Sequence, residues 1–391
     1  MKVAIVGGGA SGVLCAILIK MNRPDIVLDL YEQNDRLMKK LLQTGNGMCN
    51  LDNVNSNDYK NYNTELISNV VSKYDFTVVT KIFKQLGLIT MIDNEGRCYP
   101  HSRKANSVVD VLLANLNLNG VNINVNTLVM SINQYSNQFV INMNKNYDVV
   151  VMATGGCAGI NYFYNTKMLA KEFGFGWKKE TPSLVALKVR ENVKGLSGIR
   201  VKAKVKYYTK LVGQDLKYYE LVEERSGEVL FKDEGLSGIV IYEISRKLNV
   251  GRSNKIVLDL FEEYTIDDLQ KIIEANYHKF INPIDALIGI VPKMISYDIA
   301  KRCNNDVRKF ANCLKNYEFI ILNTYDFDQA QVMRGGIDLD NIDINTFEAK
   351  EIKNLYCIGE ALNVDGTCGG YNLHFAWASA ISAADAIVRR K

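Results

Sequence analysis

The sequence has few histidines and no closely spaced cysteines, which leaves little for a metal site. Its three histidines, His101, His278 and His374, lie far apart along the chain. The eight cysteines are scattered and none belongs to a Cys-x-x-Cys pair, so a structural zinc and a dithiol redox pair are both unexpected. A chain of 391 residues does not need disulfides for a stable core. We therefore predict that the protein binds no metal.

A large excess of charge and a long apolar run are also missing. The formal net charge is +4, and the longest basic cluster is only Arg36 with Lys39 and Lys40, so no nucleic-acid partner is expected. No stretch reaches the roughly 20 apolar residues of a membrane-spanning helix. The apolar runs at 3–6 and 13–19 are separated by a glycine-rich block, and no small-x-small site follows, unlike a secretory signal. We predict a cytoplasmic protein that does not contact a membrane.

The chain exceeds the usual size of one hydrophobic core, so two or three domains are expected. An α/β pattern runs to about residue 183, is interrupted, and returns near residue 330. In its first part we predict strands at 3–6, 26–31, 121–129, 138–143 and 149–153, and helices at 13–21, 64–90 and 107–118. In the interruption we predict strands at 184–189, 201–208, 216–223, 228–231 and 255–260, then a helical section at 265–313. After it we predict a strand at 354–358 and a last helix at 372–389. The pattern indicates a discontinuous cofactor domain with an insert.

A glycine-rich turn, Gly7-Gly8-Gly9-Ala10-Ser11-Gly12, lies between the first strand and the first helix. This context makes the G-x-G-x-x-G motif meaningful, because the turn and the helix N-terminus can hold a pyrophosphate. Glu32 follows 20 residues after Gly12, at the end of the second strand, where its carboxylate can accept hydrogen bonds from a ribose. A solvated strand end is the alternative for Glu32. An acid here also disfavours the 2′-phosphate of NADP at this site.

Two further loops follow strands of the same sheet. The loop at 39–50 is rich in glycine and small polar residues, and Thr154-Gly155-Gly156 ends the strand at 149–153. Both backbones can approach a dinucleotide closely. Cys49, in the first loop, is either a reactive thiol or a small packed side chain, and the lack of a neighbouring histidine or cysteine in sequence favours packing.

Near the C-terminus, a strand again leads to glycine and an acid, at Gly359-Glu360. Gly369-Gly370 then precedes the last helix. The positive end of that helix can stabilise negative charge on a bound cofactor, as it would on the reduced ring in a flavoprotein. A simple tight turn before a helix is the alternative.

These blocks resemble the family of FAD-dependent oxidoreductases that includes aminoacetone oxidase and the bile-acid reductase-like (BaiN-like) flavoproteins. The resemblance covers essentially the whole chain and is carried by residues 39–50, 99–100, 104–105, 153–156, 181–185, 227–231, 235–238, 335–336, 359–366 and 369–373. It implies an α/β fold: a discontinuous Rossmann-like FAD-binding domain at 1–183 and 330–391, a β-barrel-like insert domain at 184–262, and a helical subdomain at 263–329.

The motifs and the resemblance together predict FAD contacts along most of the chain. The predicted contacts are Gly7, Gly9, Ala10, Ser11, Gly12, Glu32, Gln33, Lys40, Thr44, Gly45, Asn50, Val129, Ala153, Thr154, Gly155, Gly359, Glu360, Asp365, Gly370, Asn372 and Leu373.

The chain departs from the family pattern at several positions. Met38 and Asn46 stand where the family tends to have glycine, and Met48 stands where it tends to have arginine. The insert has Lys232-Asp233 in place of Thr-His, and Ile239 in place of proline. Loss of the arginine removes a cation near the cofactor, so FAD affinity or flavin potential is expected to differ from that of relatives.

The resemblance implies hydride transfer between a small organic substrate and flavin N5, in a pocket between the cofactor domain and the insert. Tyr371 and His374 are weak acid/base candidates. For His374, core packing or a helix-cap role is an equal alternative, and for Tyr371, packing or contact with the substrate is favoured over proton donation. Residues 184–330 contain no second dinucleotide fingerprint, so NAD(P)H would dock only transiently as electron donor, and O₂ is the simpler acceptor. Other hypotheses are a flavin-binding redox sensor, an RNA-associated flavoprotein, or an NAD-binding protein without flavin.

Overall fold

The fold is that of a computed structural model, which describes residues 1–159, 165–215, 218–248 and 251–390. Its contacts divide the chain into two compact units. Unit 1 comprises Met1–Pro182 and Gln331–Lys391, and unit 2 comprises Ser183–Ala330. The finer division of the insert into a barrel domain and a helical subdomain stays a prediction.

Elements are numbered along the chain. The strands of unit 1 are β1 (Lys2–Val6), β2 (Val27–Tyr31), β3 (Asp52–Asn53), β4 (Thr90–Ile92), β5 (Arg97–Pro100), β6 (Asn122–Asn124), β7 (Ile132–Tyr135), β8 (Gln138–Ile141), β9 (Lys145–Tyr147), β10 (Val149–Met152), β11 (Trp177–Ser183), β18 (Val332–Ile337), β19 (Ile342–Asp343), β20 (Glu348–Ala349) and β21 (Leu355–Cys357). Its helices are α1 (Ala10–Asn22), α2 (Ser68–Lys73), α3 (Phe76–Gln85), α4 (Ala105–Leu118), α5 (Thr166–Glu172) and α10 (Tyr371–Val388). Unit 2 contains β12 (Leu187–Val189), β13 (Arg200–Leu211), β14 (Glu220–Lys232), β15 (Gly235–Ser237), β16 (Arg252–Asp259) and β17 (Tyr317–Thr324), with α6 (Ile239–Ser245), α7 (Ile266–Phe280), α8 (Lys293–Arg302) and α9 (Phe310–Lys315).

Unit 1 is built on a seven-stranded sheet in the order β19-β20-β21-β10-β1-β2-β6. The five adjacent strands β21, β10, β1, β2 and β6 are parallel to one another. Apolar residues fill β1 and β10 and are almost completely buried, as expected of strands covered on both faces. The chain leaves this unit after β11 and returns in β18, which pairs with β11. The prediction of a Rossmann-type domain is confirmed.

Helices α1 and α10 pack together beside this sheet. α1 follows directly from the glycine-rich turn, and Gly12 lies in its first turn. A Cβ built on Gly12 would lie 2.0 Å from the carbonyl oxygen of Gly7. Glycine is therefore required at this position so that the helix can approach the strand end closely.

Unit 2 contains a closed barrel in the order β12-β15-β14-β13-β16-β17. The barrel-like insert is therefore confirmed. Its closing strand, β17, lies in the range that the sequence assigned to a helical subdomain, and it pairs with both β12 and β16. Aromatic side chains of this strand, Tyr317 and Phe319, pack against Phe231 in the core. This strand is defined by its pairing with strands that are distant in sequence, and three helices precede it. No local pattern therefore indicates it.

Several predicted elements differ in extent. The separate strands expected at 216–223 and 228–231 form one long strand, β14, and residues 216 and 217 of the first lie outside the described residues. The strand expected at 121–129 is limited to β6, and the helix expected at 64–90 is two short helices. Within the described ranges, no helix is long and apolar enough to cross a membrane.

Candidate cofactor-binding site

A cavity in unit 1 lies where the carboxyl ends of β1, β2 and β10 meet the first turn of α10. Its empty volume, part of which is open to solvent, is about 1250 Å³. Of the predicted contact residues, those that line it are Gly7, Gly9, Ala10, Ser11, Glu32, Gln33, Lys40, Thr44, Val129, Ala153, Thr154, Gly155, Glu360, Asn372 and Leu373. One cavity thus collects residues from both ends of the sequence.

The glycine-rich turn offers open backbone to the cavity. Gly9 has extended backbone angles and precedes α1, and a Cβ built on it would meet no protein atom within 4 Å. A Cβ built on Gly155, in the loop after β10, would likewise meet no protein atom within 4 Å. The first N–H groups of α1 have no partner within the helix, so this open turn can bind phosphate groups through backbone N–H donors.

Glu32 is held in a fixed position at the end of β2. Its Oε2 accepts a hydrogen bond from the backbone N–H of Gly8 (3.0 Å), and its Oε1 accepts from the backbone and side chain of Asn34 (2.8 and 2.6 Å). The residue is 9% exposed and lines the cavity. A carboxylate has about four acceptor sites, so it can still accept hydrogen bonds from ribose hydroxyls.

Two lysines are the cations that line the cavity among the described residues. Lys39 pairs with Asp35 at 2.6 Å, whereas Lys40 Nζ lies 2.6 Å from Oε2 of Glu360. The second pair joins the loop at 39–50 to the end of β21. The other Glu360 oxygen accepts from the backbone N–H of Met333 at 2.9 Å. Met48, which replaces the family's arginine, does not line the cavity.

The two family glycine positions occupied by other residues retain a glycine-like backbone. Met38 has a φ of 58° and Asn46 a φ of 54°. Asparagine tolerates the left-handed region better than most residues, whereas methionine at this φ is strained. Met38 is buried, lines the cavity, and donates its N–H to the carbonyl of Gly8. Both positions therefore retain a backbone conformation that favours glycine.

Cys49 is a packed thiol. It is fully buried, and burial raises its pKa to about 12. The thiolate is the nucleophilic form of cysteine, so this position favours the packing interpretation over the reactive one.

The N-terminal turn of α10 presents Asn372 and Leu373 to the cavity, together with Phe375 and Ala376. The Asn372 side chain accepts from the N–H of Gly366 (2.7 Å) and donates to its carbonyl (3.0 Å). With 3.6 residues per turn, His374 falls on the opposite face of the helix. Neither His374 nor Tyr371 lines the cavity, and both are buried.

Six predicted contact residues lie outside the cavity lining: Gly12, Gly45, Asn50, Gly359, Asp365 and Gly370. Most of them pack the surrounding backbone. A Cβ on Gly359 would lie 2.4 Å from the Ser11 hydroxyl oxygen, and one on Gly370 would lie 2.5 Å from the carbonyl oxygen of Asp52. Glycine at these positions therefore allows the segments that enclose the cavity to approach each other.

The sequence analysis missed several lining residues, among them Gly8, Asn34, Met38, Asn165, Gln331 and Val332. Gly8 lies inside the recognised motif, and its N–H anchors the acid that the motif predicts. Gln331 and Val332 line the cavity because the chain re-enters unit 1 at this point. The sequence predicted the return near residue 330, but no motif marked these two residues as contacts.

We expect Lys40→Met to weaken FAD binding by about tenfold at low ionic strength. The substitution removes a cation from a cavity suited to phosphates and leaves the Glu360 carboxylate without its partner, so an anionic ligand is repelled. Fluorescence titration with FAD at low and high salt measures the effect, which should shrink as salt screens the charges.

The double variant Lys40→Met/Glu360→Gln is the matched control for this test. Removing both charges should restore part of the affinity. Equal losses in the single and double variants would contradict an electrostatic role for the pair.

Comparison with known proteins finds similarity over nearly the whole chain. The family described as "HI0933-like protein Rossmann domain" matches residues 1–386. A 3-dehydro-bile acid delta(4,6)-reductase of Clostridium scindens is 29% identical, over 100% of this chain and 99% of that protein. A ribosomal RNA dihydrouridine synthase of Haemophilus influenzae is 26% identical, over 99% of this chain and 98% of that protein.

A solved structure supports the fold. The 3-ketosteroid delta1-dehydrogenase of Sterolibacterium denitrificans aligns with a TM-score of 0.52 and 14% identity, over 100% of this chain and 99% of that one. At this level of identity, the similarity concerns the arrangement of the chain.

Proposed function

The chain belongs to the HI0933-like family, and we propose that it uses FAD to reduce a carbon–carbon double bond conjugated to a carbonyl group. The observation that carries the proposal is the single cavity that joins the open glycine turn, the fixed Glu32 carboxylate and the N-terminus of α10.

The residues of the cavity fit FAD. Gly9 and Gly155 leave room for close backbone approach, and α1 directs its free N–H groups at the same place. We assign the pyrophosphate to this turn and to Lys40, and the ribose of the adenosine half to Glu32. The ring end is assigned to Asn372 and Leu373, at the start of α10.

Flavin, when bound, supplies a centre that accepts and donates hydride. The protein's own residues bind and orient the cofactor and the substrate. The first turn of α10 offers backbone N–H groups and the positive end of the helix dipole to negative charge on the ring. Apolar side chains beside it, Leu373 and Phe375, limit the access of water.

The substrate class follows from what two relatives have in common. A 3-dehydro-bile acid with a double bond at C4 is an enone, and the uracil ring that becomes dihydrouridine also has its double bond conjugated to a carbonyl. Both names describe saturation of an activated C=C bond. We therefore favour a reductase over the oxidase hypothesis, with a reduced nicotinamide as the transient electron donor.

Anaerobic stopped-flow measurements test this proposal. The purified, FAD-loaded protein should be bleached near 450 nm by NADH or NADPH within seconds, and a 3-oxo-4-ene steroid should restore the colour without oxygen. Reduction by an amine but not by nicotinamides, with return of colour only in air, would support the oxidase instead. Protein that takes up no FAD would defeat the flavoenzyme proposal altogether.

A ribosomal RNA substrate is the second candidate, favoured by the 26% identity to the dihydrouridine synthase. The net charge of +4 counts against it. Incubation of the reduced protein with unmodified ribosomal RNA, followed by mass spectrometry for dihydrouridine, separates the two candidates. Dihydrouridine formation with no reaction of the steroid would assign the RNA substrate.

A further inference from the structure

A buried contact between an imidazole and a carboxyl group lies behind the first turn of α10, outside the residues that line the cavity. The Nδ1 atom of His374 is 2.9 Å from Oδ1 of Asp52, and both side chains have no exposed surface. Asp52 lies in β3, and its Oδ1 also accepts from the backbone N–H of Asn53 at 2.7 Å. Burying such groups is costly unless they are paired, so the position of the pair requires an explanation.

The pair is not fully satisfied by hydrogen bonds. Among the described residues, Oδ2 of Asp52 and both ring nitrogens of His374 have no aligned hydrogen-bond partner. Tyr62 and Cys98 lie near Asp52, and the Asp75 carboxylate is close enough to His374 to interact with it electrostatically. Burial raises the pKa of Tyr62 well above its usual value, with Asp52 contributing, and raises that of Cys98 to about 11. The 2.9 Å contact between Asp52 and His374 directly links β3 to the side chain of His374.

The same segment holds the helix start in two further ways. The Asn53 side chain donates to the carbonyl of Gly369 at 2.9 Å. Gly370, the residue before α10, packs so closely on the Asp52 backbone that a Cβ there would lie 2.5 Å from its carbonyl oxygen. The His374 N–H forms the first bond of the helix, to the carbonyl of Gly370. Asp52 and Asn53 of β3 thus hold the turn from residue 369 to residue 374, and we call this set of contacts the clamp.

The clamp and the cavity are on opposite sides of the helix. Asn372, Leu373 and Ala376 face the cavity, while His374 faces Asp52. Contacts that hold this turn on the side of Asp52 also fix the direction of the N–H groups that the turn presents to the cavity. A small rotation of the turn would change the field that these groups exert on a ligand in the cavity.

We propose that Asp52 and His374 are positioning residues that aim the first turn of α10 at the flavin ring, and that their contact sets the reduction potential of the bound flavin. The proposal rests on the proposed function, which assigns the ring to this end of the cavity. It concerns neither proton transfer nor contact with the substrate.

The first experiment needs no cofactor. Hydrogen–deuterium exchange of the apoprotein, read on peptides covering residues 366–377, should be at least tenfold faster in His374→Phe and in Asp52→Asn than in the wild type. His374→Gln, which keeps an N–H donor, should restore part of the protection. Unchanged exchange in these variants would overturn the positioning role.

The second experiment measures the reduction potential of the loaded protein against a reference dye. His374→Phe and Asp52→Asn should each change the ratio of affinities for reduced and oxidised flavin by about tenfold, which corresponds to about 30 mV for a two-electron couple. If the contact is responsible, the double variant should differ no more than either single variant. Additive shifts would contradict this.

Ser382→Ala is the matched control. It lies on the same helix, is buried, and loses one hydrogen bond to the carbonyl of Asn345, but it is more than two turns from the clamp. It should lower the melting temperature without moving the potential. If the reduction potential changes together with the melting temperature in every variant, the pair has only a structural role.

Wild-type protein that binds no FAD would instead contradict the proposed function. The exchange experiment would still decide whether the pair holds the turn.

Discussion

Replacement of Gly9 by valine should strongly weaken FAD binding and leave the fold intact. The backbone of Gly9 is extended, with a φ of −81° and a ψ of −170°, which valine adopts without strain. A Cβ there meets no protein atom within 4 Å, so the added side chain enters open cavity, where we place the pyrophosphate. We expect the dissociation constant for FAD to rise by at least about 100-fold, or about 2.7 kcal/mol.

Absorbance at 450 nm after purification, titration of the apoprotein with FAD, and thermal melting together measure this effect. Gly12→Val is the informative comparison, because its side chain would collide with the Gly7 carbonyl inside the fold and should lower the melting temperature as well. Gly9→Val protein that retains equimolar FAD would show that the pyrophosphate does not pass over this turn.

Replacement of Glu32 by alanine should weaken FAD binding by about 10- to 100-fold. The carboxylate is the group that we assign to the ribose, and hydrogen bonds to charged groups contribute roughly 1.5–3 kcal/mol. The substitution also leaves the Gly8 N–H without its acceptor, which loosens the glycine turn. Calorimetric titration of the apoprotein with FAD gives the affinity.

Asn34→Ala is the control for Glu32→Ala. It removes the side-chain donor to the same carboxylate but keeps the backbone N–H donor and the acid, so it should cost less than tenfold. An equal loss in both variants would mean that the loop conformation matters and the ribose contact does not.

Local patterns predicted the parts of the fold that local physics determines. The βαβ start, the glycine turn and α10 follow from apolar runs and glycines adjacent in sequence, and each was found at nearly the expected residues. β17 was missed because a barrel-closing strand is defined by its partners β12 and β16, which lie far away along the chain.

In the site, too, local patterns predicted single residues but not the contacts between residues that are distant in sequence. Glu32 was predicted because its spacing from Gly12 reflects one βαβ unit. The pairing of Lys40 with Glu360 spans 320 residues, and no periodicity links such positions. The resemblance named both residues as contacts but not their contact with each other. Likewise, whether His374 faces the cavity depends on which side of α10 the cavity occupies, and the sequence does not indicate that side.

The division of unit 1 has a consequence for biosynthesis. Its sheet needs β21, and α1 needs α10, so the nascent chain cannot complete this unit until residues 331–391 have left the ribosome. Unit 2 is continuous from Ser183 to Ala330 and emerges whole before that. Domains generally fold as units during synthesis. The barrel can therefore fold before β1 and α1 have their partners, and the turn that we assign to the flavin ring is made after the whole of unit 2.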